Sequence, residues 1–174
     1  MKKFALLLLI FAVSLPPRLA AQSVSGLLKG AQTKPASAAQ ADPLGRETPS
    51  GTVVGFLQAA QLGNYKAAAD YLQMSAARRQ SQGPAVAGKL KVLMDRAFVG
   101  SLRKISSNPD GSPESGTSDQ QSIGSFSAAD ADVPIVLVRV ADSNGGRIWL
   151  FSADTLSKVP DLYDNVQALS LIHI

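Results

Sequence analysis

Asp42 to Leu72 reads DPLGRETPSGTVVGFLQAAQLGNYKAAADYL, and this stretch predicts a capped helical hairpin. Thr48 can accept hydrogen bonds from the free N–H groups of a first turn, and Pro49 at the first helical position wastes no donor. Val53, Phe56, Leu57 and Ala60 then recur at three- and four-residue spacing, which places them on one helix face. Gly63-Asn64 ends that helix and starts the next, because Gly tolerates a left-handed backbone and Asn caps. Tyr65, Ala68, Ala69 and Leu72 continue the apolar stripe, and the small Ala residues let two antiparallel helices approach closely.

Working outward, Gly83-Pro84 predicts the opening of a third helix. It carries Val86, Leu90, Leu93, Met94 and Ala97 inward, with Lys89, Lys91, Asp95 and Arg96 mostly outward. Met94 reads as core filler. Asn108 to Asp119 is a polar loop built from Asn-Pro, Asp-Gly and Ser-Pro turn signals. The period then changes from helical to alternating. Ser122 to Ser127 alternates around Ile123 and Phe126, and Val133 to Val140 is rich in β-branched residues. Pro134 places that second strand at an edge or at a strand entrance. Ser143-Asn144-Gly145-Gly146 predicts a hairpin turn that returns Arg147 to Phe151 as a partner strand. Trp149 is expected to pack against the helices.

Trp149 to Tyr163, WLFSADTLSKVPDLY, predicts a buried strand running into a short last helix. Ser152 caps it, Leu156 and Val159 face inward, and Pro160 stops it, with Leu162 and Tyr163 packing back on the sheet. Helices first and antiparallel strands afterwards argue for an α+β fold. The expected architecture is an N-terminal helical hairpin plus third helix packed on a small antiparallel β-meander, followed by the short C-terminal helix.

The first residues read as an export signal. Lys2 and Lys3 supply the positive start, Phe4 to Leu15 an apolar run, and Leu19-Ala20-Ala21 small residues for cleavage before Gln22. The run is shorter than the roughly 20 apolar residues of a membrane span, and Pro16, Pro17 and Arg18 interrupt it. An uncleaved anchor is the alternative. Residues 1–21 are thus assigned to the signal peptide and residues 22–41, rich in Ala, Ser, Gln and Gly, to a flexible linker. Residues 42–168 form the expected exported α+β domain, and residues 169–174, LSLIHI, read as a tail translated from a sequencing-library adapter. A short apolar C-terminal strand is the other reading of that tail. On the adapter reading the chain is the N-terminal part of a longer protein.

Composition narrows the chemistry. Setting aside Lys2, Lys3 and Arg18, the 17 basic residues become 14 against 13 acidic ones, so the formal +4 does not describe the mature domain. A near-neutral balance leaves no electrostatic footprint for nucleic acid or an anionic membrane surface. Arg78-Arg79 and Arg103-Lys104 read as solvated helix faces. Cysteine is absent and the one histidine is His173, inside the suspect tail. Imidazole- and thiolate-based zinc or copper sites, Ser-His-Asp triads and Cys-His dyads therefore have no residues to build them.

The remaining candidates are weak. Asp130 and Asp132 sit between two strands, where Asp serves local turns, and they lack calcium-loop spacing. Asp142-Ser143-Asn144-Gly145-Gly146 could bind calcium in principle, but a hairpin turn explains it. Leu156-Ser157-Lys158 has the wrong spacing for Ser-Lys catalysis. Ser101-Leu102-Arg103-Lys104 has the right spacing but lies near a helix end without a companion motif. Gly100-Ser101 is no nucleophile elbow, and no Gly-rich phosphate loop occurs. No catalytic, cofactor-binding or metal residue is assigned, no cofactor is expected, and no small-molecule ligand is identifiable from the sequence.

Two resemblances remain. Gly63-Asn64-Tyr65 with the following Ala stripe resembles a tetratricopeptide unit, but such arrays need about three units and no second copy is present. More extensively, Asp42-Pro43-Leu44-Gly45-Arg46, Thr48-Pro49, Gly55-Phe56-Leu57 and Gly63-Asn64-Tyr65-Lys66-Ala67-Ala68 resemble the N-terminal extramembrane segment of bacterial small-conductance mechanosensitive channels (the MscS family). Trp149-Leu150-Phe151-Ser152, Thr155-Leu156, Val159-Pro160 and Leu162-Tyr163 look like the end of the same segment, so the resemblance spans Asp42 to Tyr163. It implies a periplasmic domain that follows a signal sequence and precedes membrane helices of an inner-membrane protein. It also implies partners, namely the rest of the channel chain and the inner membrane, and a function in releasing ions and solutes under membrane tension. None of the pore elements lies in this sequence. A free-standing periplasmic binding or scaffold protein is the alternative expectation.

Overall fold

Apolar stripes at helical spacing and β-branched runs at alternate spacing bury each other in a two-layer arrangement. The computed structural model describes residues 41–113, 119–127 and 132–172. Over these residues the element order is α1 (Pro49–Gln61), α2 (Tyr65–Ala68) with a 3-10 turn (Ala69–Tyr71), α3 (Ala76–Arg96), β1 (Phe98–Val99), a second 3-10 turn (Leu102–Lys104), β2 (Gln120–Phe126), β3 (Val133–Ala141), β4 (Arg147–Phe151) and α4 (Ala153–Ile172). The strands form one antiparallel sheet in the order β1-β2-β3-β4. The α+β class read from the sequence is the class observed. The signal peptide, nearly all of the linker, Asp130 and His173 lie outside the described residues. Among the described residues no helix is long and apolar enough to cross a membrane.

Local signals act as their chemistry dictates at several joints. The Thr48 hydroxyl accepts the Gly51 N–H at 3.0 Å, with Pro49 first in α1. Gly63 takes φ +73°, and the Asn64 side chain accepts the Ala67 N–H at 3.1 Å to start α2. Ser152 accepts the Thr155 N–H at 3.1 Å at the start of α4. The hairpin turn forms at Asp142 to Gly146, where the Asp142 N–H donates to the Gly146 carbonyl at 2.9 Å.

Four expectations need correction. The third helix does not open at Gly83-Pro84 but at Ala76, capped by the Ser75 hydroxyl, and Pro84 lies inside it. A proline interrupts one helical hydrogen bond, and here the buried stripe of Val86, Ala87, Leu90 and Leu93 holds the rest of the helix against its neighbours. Likewise α4 is not short: it runs through Pro160 to Ile172, so the tail segment up to that residue is helical rather than a strand. The second arm of the hairpin is a single α-turn followed by a 3-10 turn, not a full helix. Finally, the sheet has a further strand, β1, which the sequence reading did not include; β1 and β4 are its edges, and Pro134 stands at the entrance of the interior strand β3, one of its two expected positions. Phe98 and Val99 pair with Phe126 and Ser125 beside a bulge at Ile123-Gly124. Gly124 has φ +145°, and a Cβ there would stand 2.6 Å from the Val99 carbonyl oxygen, so the close approach of β1 requires glycine.

The core lies between the helices and one face of the sheet. Val53 and Phe56 of α1, Leu90 and Leu93 of α3, and Leu156 and Val159 of α4 are buried with Phe126, Ile135, Leu137, Trp149 and Phe151 of the sheet. The Phe56 and Phe151 rings meet edge to face with centroids 5.1 Å apart, a favoured aromatic geometry. Trp149 is fully buried as expected, and its Nε1 donates to the Pro109 carbonyl at 2.9 Å. That bond brings the polar loop over the indole and satisfies its one polar atom.

Candidate functional site

The outer edge of β4 has no fifth strand, and other parts of the chain serve its backbone groups. Trp149 N–H donates to the Arg46 carbonyl at 2.7 Å, and Gln73 N–H donates to the Phe151 carbonyl at 2.9 Å. The buried Thr52 hydroxyl donates to the Trp149 carbonyl at 2.9 Å. An exposed strand edge would otherwise invite pairing with another chain. The loop before α1 and the extended segment 72–74 are thereby fixed on either side of one strand.

Arg46 organises this junction. Its Nε and Nη2 reach the two carboxylate oxygens of Asp42 at 3.0 and 2.9 Å, and its Nη1 donates to the Asp70 carbonyl at 2.9 Å. The hydrogen-bonded Arg46 guanidinium holds the Asp42 carboxyl below its usual range, and Asp42 in turn raises Arg46. Tyr71 packs beside them with its hydroxyl donating to the Leu44 carbonyl at 3.1 Å, and burial pushes its phenol up.

Arg79 is the second organiser. Its Nη2 donates to the carbonyls of Leu72 and Met74 at 3.3 and 3.2 Å, which pins the segment between the 3-10 turn and α3. Its Nε is buried without a hydrogen-bond partner. Two cavities share this side chain. One, of about 450 Å³, lies against Ile148 and Leu150 with Arg46, Gln73, Ser75 and Asp142 at its rim. The other, of about 520 Å³, lies between α2 and the first half of α3. A third, near Asp42, Glu47 and Asp142, is only about 60 Å³.

These cavities gather guanidinium, ammonium, carboxylate and amide groups, a set suited to holding a charged molecule in place. The Ser75 hydroxyl is engaged as the α3 cap. Among the described residues no group of three His, Cys, Asp or Glu side chains is placed to hold a metal ion.

The residues weighed from the sequence are scattered. Asp132 is exposed before β3. Asp142 belongs to the hairpin turn, its carboxylate accepting the Asn144 N–H at 3.2 Å. Ser101 precedes the 3-10 turn and Lys104 ends it, both exposed. Arg103 and Arg78 are solvated as expected, but Arg79 is not: its side chain is only 30% exposed. Reading α3 as starting at Ala76 would have exposed this, since Arg79, Gly83, Ala87 and Leu90 then fall on one face. A Cβ on Gly83 would stand 3.3 Å from Arg79 Cγ and 2.8 Å from Ala69 Cβ, so that face is packed tightly.

Compared with protein-family models, with curated proteins and with solved structures, the chain matches none.

Proposed function

We propose that this chain is the exported, periplasmic domain of a bacterial small-conductance mechanosensitive channel, an inner-membrane protein that opens under membrane tension to release ions and solutes. On this reading the domain is a non-enzymatic packing or sensing module, and the pore helices belong to a part of the protein outside this sequence. Its partners are the rest of the channel chain and the inner membrane.

The observation that supports the reading is where the resembling motifs meet. Arg46 and Trp149, one from each of the two motif groups, share a backbone hydrogen bond. Phe56 and Phe151, also one from each, share a ring contact. Motifs far apart in the sequence thus build one joint, as parts of a single inherited unit would.

The test is the DNA past codon 168 in an independently sequenced genome. A continuing frame with several apolar runs of about 20 residues is expected, and the protein it encodes should pass tension-activated current in membrane patches. A natural stop codon directly after Gln167 or Ala168 would sink the proposal. It would favour a free-standing periplasmic binding protein, a reading to which the two cavities around Arg79 lend weight.

A further inference from the structure

We propose that residues 22–40 of this chain dock on the outer face of the sheet, seating Val24, Leu27 and Leu28 against β3 and β4. Val136, Val138, Val140, Ile148 and Leu150 form the apolar part of that face. Alternation along the strands sets them on the side opposite Ile135, Leu137, Trp149 and Phe151. None of the five belongs to the core that those residues share with the helices. Val138 pairs with Leu150 and Val140 with Ile148, so the patch is continuous across two strands.

An antiparallel sheet with one face in water carries polar residues there. Strand β2 does so, with Gln120 and Ser122 opposite Val138 and Val136. Strands β3 and β4 place aliphatic residues there instead. Ile148 and Leu150 are only 6% and 5% exposed and the three valines are half-buried, although all five stand outside the helical core. A cavity of about 450 Å³ lies over Val140, Ile148 and Leu150, which leaves room for further aliphatic side chains.

The chain itself supplies the occupant. Asp42, where the linker meets the domain, is fixed by its N–H donating to the Glu47 carboxylate at 2.6 Å. It lines a small pocket with Arg147 and Ile148, so the linker leaves the domain at the hairpin end of this face. Val24, Leu27 and Leu28 are the large apolar residues of 22–40. The stretch from Leu28 to Asp42 reaches up to roughly 45 Å when extended, against about 13 Å along β3 from Val136 to Val140. The segment therefore reaches the whole face. Its tether raises its effective concentration there, so a second copy competes poorly in dilute solution.

The docking does not rest on the channel reading, and residues 22–40 are present whether or not the signal is cleaved. The chain has no cysteine, so Ser25→Cys puts a single nitroxide spin label in the segment of the full-length protein. In ¹⁵N NMR of dilute protein, the amide signals of Val138, Val140, Ile148 and Leu150 are expected to broaden several times more than those of Ala87 and Leu90 in α3. Adding Leu27→Asp with Leu28→Asp should remove most of that difference, because unpaired charges resist burial on an apolar face. Both changes lie in the linker, outside the folded core. The proposal is overturned by equal broadening of the two sets, or by a difference that persists in the double-aspartate variant. It is also overturned if labelled ¹⁴N protein broadens unlabelled ¹⁵N protein to the same degree, which would assign the face to a second copy. A stop codon after Ala168 would end the channel reading and leave this measurement unaffected. Equal broadening would end the docking and leave the channel reading standing.

Discussion

The Trp149 N–H donates to the carbonyl of Arg46 at 2.7 Å, joining the last strand to the loop that precedes the first helix. The same Arg46 binds the Asp42 carboxylate and the Asp70 carbonyl through its guanidinium. One residue therefore ties the loop, the strand edge and the 3-10 turn, and perturbing any of the three should reach the others. Trp149, the sole tryptophan, reports on this joint by fluorescence.

Asp42 should make stability depend on acid. Its folded-state pKa is depressed by Arg46, so the contribution is fully present above the unfolded value of about 3.9 and is lost as pH falls through the lower folded value. Asp42→Asn is expected to cost roughly 1–3 kcal/mol near neutral pH, shrinking toward zero near pH 2. Urea denaturation at both pH values measures this, and an equal cost at both would rule out the charge as its origin.

Thr52 tests the strand edge. Its buried hydroxyl is bonded to the Trp149 carbonyl. Thr52→Val keeps the shape and leaves that carbonyl without this donor, for an expected loss of about 1–3 kcal/mol. Thr52→Ser retains the hydroxyl and should keep more than half of the stability difference. A Val variant as stable as the parent in urea would show that water or another group serves the carbonyl.

At Gly55 helix propensity and packing oppose each other. Replacing a mid-helix Gly by Ala gains up to about 1 kcal/mol. A Cβ at this position, however, would stand 2.4 Å from the Tyr71 hydroxyl and 2.7 Å from its ring. Overpacking of this kind costs roughly 1–3 kcal/mol, and the ring is held by the bond to Leu44. Gly55→Ala should therefore lower the thermal midpoint, and a raised midpoint would mean that Tyr71 moves aside freely.

Pro84 should behave in the opposite sense. It sits inside α3, where proline removes a helical hydrogen bond. Pro84→Ala is expected to stabilise by on the order of 1–2 kcal/mol, after allowing for the looser unfolded chain. Calorimetry decides the sign. A destabilised variant would show that ring contacts at the cleft outweigh the helix gain.

Much of the fold was legible because its signals are local. Thr48, Asn64 and Ser152 cap helices through side-chain oxygens within three residues of their targets. The Asp142–Gly146 turn and the alternation in β2 and β3 likewise need only neighbours. The errors share one cause. Pro84 and Pro160 are helix breakers by local rule, yet both lie inside helices whose buried faces are held by tertiary packing. Starting α3 at Pro84 left Arg79 outside it, and so hid the residue around which the cavities form.

The sequence by itself determined the α+β class, the capped start of the hairpin, and the absence of cysteine and so of thiol chemistry. These follow from residue type and spacing alone. The tertiary structure alone decided that Arg46 meets Trp149 and that the Arg79 guanidinium ends beneath the 72–74 segment, on the Leu72 and Met74 carbonyls. The first contact joins residues distant in sequence, and whether a long charged side chain ends in water or beneath a neighbouring segment depends on what packs above it.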